Sequence, residues 1–254
     1  MDLGLRERVY IVTGATRGLG RATAEVLVAE GARVVVVGRA EEAVTAAAEE
    51  IGPRENVLGV TGDLADSGLE SRLVAAAHAR WGRLDGALIS VGGPPPGTIM
   101  SLDDGAWRAA FETVFLGALR MIRAVAAACG HDGASVALVL STSVRSPIEG
   151  LGASNGLRPG LAMAAKTLAD ELGPRNIRIN GLLPGRIDTD RVRELDARTG
   201  RPVTSRRQQE AGIPLGRYGE PAEFARAAAF LLSPAASYLT GVMLPVDGGA
   251  LRCL

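Results

Sequence analysis
Apolar residues fall into short β-branched runs separated by longer Ala- and Leu-rich stretches whose apolar positions repeat at helical spacing. The runs are Val9–Val12, 34–37, 57–60, 87–91, 136–140, 177–182 and 242–246, and the stretches between them are 19–30, 40–51, 66–81, 103–128, 154–173 and 220–232. Seven strands alternating strictly with six helices predict parallel βαβ crossovers. A strand apolar at every position, like the four valines at 34–37, is buried on both faces, so helices must cover both sides of the sheet. The expected fold is a single doubly wound α/β domain of the Rossmann type over residues 1–254. The stretch from about 186 to 212 shows neither pattern. Irregular stretches beyond about 12–15 residues in a compact domain are usually lids or binding loops, so this one is expected to cover a substrate.

Composition then removes several function classes. Of 254 residues, 47% are apolar and 22% charged, and 28 basic residues cancel 28 acidic ones. With no net charge and no block of like charge, there is no electrostatic footprint for nucleic acid or an anionic membrane, which excludes polyanion binding as the main task. No apolar run reaches the roughly 18–20 residues of a membrane span, and MDLGLRERVYIVTG lacks a signal-peptide apolar core. Cys129 and Cys253 match no metal-ligand or redox spacing and read as reduced thiols. A cytoplasmic protein without a metal is expected.

Directly after the first strand, Thr13-Gly14-Ala15-Thr16-Arg17-Gly18-Leu19-Gly20 leads into a helix. Glycines at such a turn let the backbone approach a pyrophosphate, and the free N–H groups and dipole of the helix N-terminus favour its charge. The second strand ends Val37-Gly38-Arg39, without the acidic residue that binds the adenosine ribose of NAD. Arg39, with Arg17, instead offers guanidinium groups where the 2′-phosphate of NADP would sit, so NADP(H) is expected in preference to NAD(H).

The spacing Thr-Gly-x3-Gly-x-Gly resembles the short-chain dehydrogenase/reductase family, nearest its β-ketoacyl carrier-protein reductase branch. Gly62-Asp63-Leu64 is similar to the family's adenine-contacting segment, and Ile89-Ser90-Val91-Gly92 stands where its Asn-Asn-Ala-Gly follows strand four. Pro184-Gly185-Arg186-Ile187-Asp188-Thr189 resembles the segment that holds the nicotinamide carboxamide, and Ser237-Tyr238-Leu239-Thr240-Gly241 with Val246-Asp247-Gly248-Gly249 resembles the last turn and strand. The resemblance implies cofactor contacts from Gly14, Thr16, Arg17, Gly18, Leu19, Gly20, Arg39, Asp63, Leu64, Ser90, Gly92, Pro184, Gly185, Ile187 and Thr189. It also implies a small-molecule carbonyl or acyl substrate, and a homo-oligomer, tetramer or dimer, joined through 103–128 and 154–173.

The family's catalytic set is a Ser, a Tyr, a Lys four residues beyond it and an Asn, with Tyr as acid or base and Lys⁺ lowering its pKa. Ser143, just after strand five, matches the Ser. Counting back from Asn180 puts the Lys position at Arg158 and the Tyr position at Ser154. A rival register uses Lys166, the single lysine of the chain, and places Ala162 at the acid position. The Asn position, counted from Trp107, is Val114, and Tyr10, Tyr218 and Tyr238 all lie elsewhere. His78 and His131 read as surface residues. A serine hydroxyl is a far weaker acid than a phenol of pKa about 10, and arginine does not shuttle protons at neutral pH. Losing acid–base help costs about 10²–10⁴ in rate without forbidding hydride transfer.

Two functions follow. The first is an NADP(H)-dependent, 3-oxoacyl-reductase-like oxidoreductase in which Ser143 and Arg158 polarise a carbonyl and water or Ser154 supplies the proton. The second is a catalytically weak dinucleotide-binding sensor or partner subunit. The segment 186–212 carries seven Arg against five acidic residues, and such a weakly basic lid suits an anionic, carrier-linked or CoA-linked acyl group.

Overall fold
Side chains of β1 (Val9–Val12) and β2 (Arg33–Gly38) alternate between two separate cores, Val9, Ile11, Val35 and Val37 entering one and Tyr10, Val12, Val34 and Val36 the other. A strand period of two makes this division wherever both faces are covered. The first core is completed by α3 (Leu69–Trp81), α5 (Gly117–Ala128) and α6 (Gly152–Leu172), through residues such as Leu73, Ile122 and Leu161. The second is completed by α1 (Gly18–Ala29), α2 (Glu41–Ile51) and α9 (Pro221–Leu232), through Leu27, Ile51 and Phe224. The structure, a computed structural model, describes residues 2–253.

Among the described residues, seven strands form one sheet in the order β3-β2-β1-β4-β5-β6-β7, with every neighbouring pair parallel. The remaining strands are β3 (Val57–Thr61), β4 (Gly86–Ile89), β5 (Ala134–Val139), β6 (Ile177–Pro184) and β7 (Met243–Val246). The chain winds outward from β1 to β3, then crosses back to lay β4 on the other side of β1. Strand order reverses there, so the flanking loops diverge and open a crevice at the carboxyl ends of β1 and β4.

Two sequence expectations need correction. The stretch expected to be irregular holds two helices, α7 (Asp190–Ala197) and α8 (Pro202–Ala211). Both are polar around nearly their whole circumference, so there is no apolar stripe to read; α8 buries no residue and α7 only Asp196. They are held instead by ion pairs at helical spacing, Arg193 with Asp190 and Arg206 with Glu210. The helix expected over 103–128 is interrupted. It comprises α4 (Asp104–Phe111), one wider turn over Glu112–Leu116 in which the Gly117 N–H reaches the Glu112 carbonyl, and α5. The extra residue is accommodated where Gly117 meets the loop after β3, since a Cβ there would lie 2.5 Å from the Leu64 carbonyl oxygen.

Gly86 shows how closely the strands approach. A Cβ at this position would land on the Ser135 carbonyl oxygen of β5. Gly86→Ala is expected to destabilise the fold by about 1–3 kcal/mol through overpacking, lowering the thermal midpoint by about 2–4 °C per kcal/mol for a domain of this size. A melting curve superimposable on the wild type would refute this close approach.

Candidate functional site
The crevice is built from the turn after β1. Thr13 is buried, and its hydroxyl donates to the Ser90 carbonyl at 2.7 Å while accepting from the Ser90 N–H at 2.8 Å, tying the ends of β1 and β4 together. Gly14 follows with φ +59°, and a Cβ there would sit 2.8 Å from the same Ser90 carbonyl. At Gly20 a Cβ would strike the Gly14 carbonyl, so the first turn of α1 packs directly on the strand end. Thr16 lies against Gly38, and the Ala15 N–H donates to the Val37 carbonyl at 3.0 Å, joining the turn to β2. Arg17 precedes α1 in extended conformation and no side chain caps the helix, which leaves the N–H groups from Gly18, Leu19 and Gly20 directed outward.

The other cofactor candidates gather on the same edge. Arg39 is exposed (side chain 78% accessible) and its nearest acid is Asp63, a loose 3.9 Å away at the end of β3. Asp63 itself accepts from the Ala65 N–H, and Leu64 is buried beneath it. The position a Gly18 Cβ would take is 3.7 Å from the Thr189 methyl, so the glycine turn faces the start of α7. Pro184 ends β6, Gly185 packs against Asp247, and Ile187 is buried beside a bridge to Gly219. Around Gly92 there is open space where a Cβ would point. An uncapped helix N-terminus and a turn from which side chains are excluded fit the phosphates of a dinucleotide, and Arg39 stands on the same edge without a tight partner.

Across the crevice, β5 ends at Val139 and the chain turns through Ser141, whose hydroxyl accepts from the Ser143 N–H at 3.1 Å. Ser143 is buried, and its hydroxyl lies 3.1 Å from the hydroxyl of buried Ser154 in the first turn of α6. Arg158, one helical turn further, is only 6% accessible. Its Nη1 donates to the Val139 and Leu140 carbonyls at 2.7 and 2.6 Å, while its Nε is buried without a partner. Burial, and then the charge of Arg191, push the guanidinium down to about 10, so it stays cationic at neutral pH.

This geometry separates the two registers. Ser154 meets Ser143, whereas Ala162 belongs to the hydrophobic core and Lys166 donates to the Gly241 carbonyl at 3.2 Å. Val114 is buried in the wide turn between α4 and α5 and supplies no polar atom. The tyrosines are committed elsewhere: Tyr10 donates to the Leu232 carbonyl, Tyr218 to Asp196, and Tyr238 is fully exposed. His78 contacts the Ala128 carbonyl at 3.2 Å, and His131 is exposed. Asn180, the anchor of the count, is wholly buried; its amide donates to Leu239 and accepts from Val242, which fixes the turn before β7.

The segment 186–212 contains a network that sequence reasoning missed. Buried Asp196 accepts from the Tyr218 hydroxyl at 2.9 Å and the Ser205 hydroxyl at 3.2 Å, and pairs with Arg186 at 3.4 Å. The Tyr218 phenol is pushed up to about 12 by burial and by that hydrogen bond, so it remains a donor. Arg206 stacks over the Tyr218 ring at 4.5 Å. Asp188, Asp190, Glu194, Asp196 and Glu210, the acids of the segment, all pair with lid arginines. Four of the seven arginines of the segment, 186, 191, 193 and 206, are engaged by these acids, and among the described residues Arg198, Arg201 and Arg207 make no ion pair. A single tyrosine and an aspartate 22 residues apart carry no sequence signal of their contact.

Burial pushes the Asp188 carboxyl up, but hydrogen bonds from Arg206 and Arg193 outweigh it and hold the group below its ordinary value. A carboxylate depressed by folding contributes stability above its unfolded pKa, about 4, and loses it as pH falls through the folded value. At about pH 3 the amides of 190–211 are expected to exchange hydrogen faster, after correction for intrinsic rates, than at about pH 6, while β1 and β5 stay protected. Equal lid protection at both pH values would contradict this role for the ion pairs.

The family model described as enoyl-(acyl carrier protein) reductase matches residues 14–250. An uncharacterized oxidoreductase of Mycobacterium tuberculosis is 35% identical over 251 residues, covering 96% of this chain and 92% of the relative. The 3-oxoacyl-[acyl-carrier-protein] reductase of Salmonella typhimurium is 32% identical over 251 residues, covering 95% and 96%. Among solved structures, L-sorbose reductase from Gluconobacter frateurii, complexed with NADPH and L-sorbose, superimposes with a TM-score of 0.91 at 28% identity over 100% of both chains. An NADPH-dependent reductase involved in bacilysin biosynthesis gives a TM-score of 0.91 at 25% identity over 98% of this chain and 100% of its own. Among the described residues, no helix is long and apolar enough to cross a membrane.

Proposed function
The chain belongs to the short-chain dehydrogenase/reductase family of oxidoreductases, and from that premise we propose that it exchanges a hydride between NADP(H) and a carbonyl or alcohol, as 3-oxoacyl reductases do, through a site without the Tyr and Lys pair. The observation that carries this reading is the buried pair of hydroxyls, Ser143 and Ser154, set beside the Arg158 cation on the same strand edge as the glycine turn. Gly14, Thr16, Arg17, Gly18, Leu19 and Gly20 would hold the pyrophosphate, Arg39 the 2′-phosphate, Asp63 and Leu64 the adenine side, and Ser90, Gly92, Pro184, Gly185, Ile187 and Thr189 the nicotinamide side. When bound, NADPH supplies the hydride. Two relatives whose names include NADPH, together with an exposed Arg39 in place of an acid, support NADP(H) over NAD(H).

The chain's own residues orient the acceptor and stabilise its developing charge. Ser143 donates to the substrate oxygen, Ser154 donates to Ser143, and the proton lost along this pair is replaced from water. Arg158 adds a fixed positive potential in a water-poor corner, where such a charge acts most strongly. With no phenol, proton delivery is slow.

A second reading, a weakly active binding protein that serves as sensor or partner subunit, draws on one feature: Nη1 of Arg158 is already occupied by two strand carbonyls. Exposed Ile99, Met100, Phe111 and Met163 around α4 and α6 support a homo-oligomer, tetramer or dimer. Free thiols at Cys129 and Cys253 suit the reducing cytoplasm.

The test is NADPH oxidation with a panel of ketones and aldehydes. The wild type is expected to turn over slowly, and Ser143→Ala to lower the rate by about 10²-fold or more, the usual loss of an oxyanion donor. Ser154→Tyr with Arg158→Lys is expected to raise turnover on simple ketones by about 10²-fold, the lower range of acid–base help. Absence of turnover across the panel, in wild-type protein that binds NADPH, would favour the sensor instead.

A further inference from the structure
A guanidinium removed from water normally has a carboxylate beside it, because an unpaired buried charge is strongly unfavourable. Arg158 has none. Among the described residues it makes no ion pair, and its only partners are two backbone carbonyls, which carry partial charge. Nε is sealed without a partner, and Nη2 is neither hydrogen-bonded nor sealed, so it is the face of the guanidinium left for a ligand.

A second cation stands nearby on the lid. Arg191 of α7 lies over the loop after β4, its guanidinium atoms 3.0–3.3 Å from where a Gly93 Cβ would point, with Nη2 donating to the Pro94 carbonyl at 3.0 Å. The loops that follow β4 and β5 are neighbours, so Arg191 and Arg158 flank the same end of the sheet. The one acid within reach of Arg191 is Glu194, at a loose 3.9 Å, and Glu194 is shared with Arg17 at 3.7 Å. Arg191 thus stands over the loop after β4 and Arg158 at the end of the neighbouring strand β5, with one loosely held carboxylate, Glu194, on that side, so the corner lacks a negative charge.

We propose that the substrate brings that charge: it is an α-keto acid, its carboxylate held between Nη2 of Arg158 and the guanidinium of Arg191, its ketone oxygen at Ser143 and Ser154. Guanidinium groups match a carboxylate in both charge and planar geometry. One missing charge fits a monoanion better than a phosphate monoester. Ser154 and Arg158 are a single helical turn apart, about 5–6 Å along α6, which suits a carboxylate bonded directly to the carbonyl carbon rather than one at the end of a long chain. The proposal rests on the reading of this corner as the hydride-acceptor site, yet its charge requirement can be measured without turnover.

The experiment is calorimetric titration of the whole protein, with and without saturating NADPH, using α-ketobutyrate, α-ketoisocaproate and phenylpyruvate, each against its methyl ester, and phenyl phosphate as the alternative anion. At least one keto acid is expected to bind about tenfold or more tightly than its ester, as loss of a charge-assisted pair implies. Arg191→Ala, at a half-buried position on a polar helix, should weaken that acid about tenfold while leaving its ester unchanged; Arg158→Gln should abolish the preference. The proposal is overturned if acids and esters bind alike, if no keto acid binds, if phenyl phosphate binds more tightly than every keto acid, or if Arg191→Ala keeps the preference. Failure of NADPH to bind strikes the oxidoreductase reading instead, and the titrations without cofactor still decide the charge question.

Discussion
The reciprocal hydrogen bonds between Thr13 and Ser90 hold the ends of β1 and β4 side by side at the point where strand order reverses, and the functional edge is assembled around them. They are sealed from water, so they keep most of the strength that exposure would remove. Gly14 can approach because the Ser90 carbonyl is fixed, Gly20 can pack because Gly14 is fixed, and the N-terminus of α1 is thereby aimed along the crevice. Loosening this contact would spread the turn after β1 away from the loop after β4, and the two halves of the cradle would no longer face one ligand.

The opposite side of the crevice follows a different logic. Strand β5 ends in carbonyls with no further strand partner to take, and the Arg158 guanidinium satisfies two of them while remaining in a buried, cationic state. A guanidinium at this position is a fixed charge that also braces the backbone. The serine pair beside it can donate and relay hydrogen bonds but supplies no group that titrates near neutrality.

The strands were legible in the sequence because burial on both faces forces unbroken apolar runs, and the glycine turn after β1 because Gly14 and Gly18 adopt φ near +60°, a conformation that restricts residue choice. Ser154 and Arg158 could be located by counting from Asn180, whose own burial explains why it makes a stable landmark. Helices α7 and α8 were not legible: their stability comes from arginine–acid pairs and from Asp196 beneath Tyr218, contacts that leave no periodic trace. The wide turn around Val114 was equally hidden, since it is set by the tertiary approach of Gly117 to Leu64. Arg191 stood in the sequence as one of seven lid arginines, and only its placement over Gly93 and Pro94 distinguishes it.

The most direct test is a titration of the purified protein with NADPH and, separately, NADH, followed by nicotinamide fluorescence. Saturable micromolar binding, tighter for NADPH than for NADH, is the expected result, since the N-terminus of α1 carries no side-chain cap and Arg39 is exposed without a tight ion pair. Failure of both dinucleotides to bind at millimolar concentration would contradict it and leave the crevice to some other ligand.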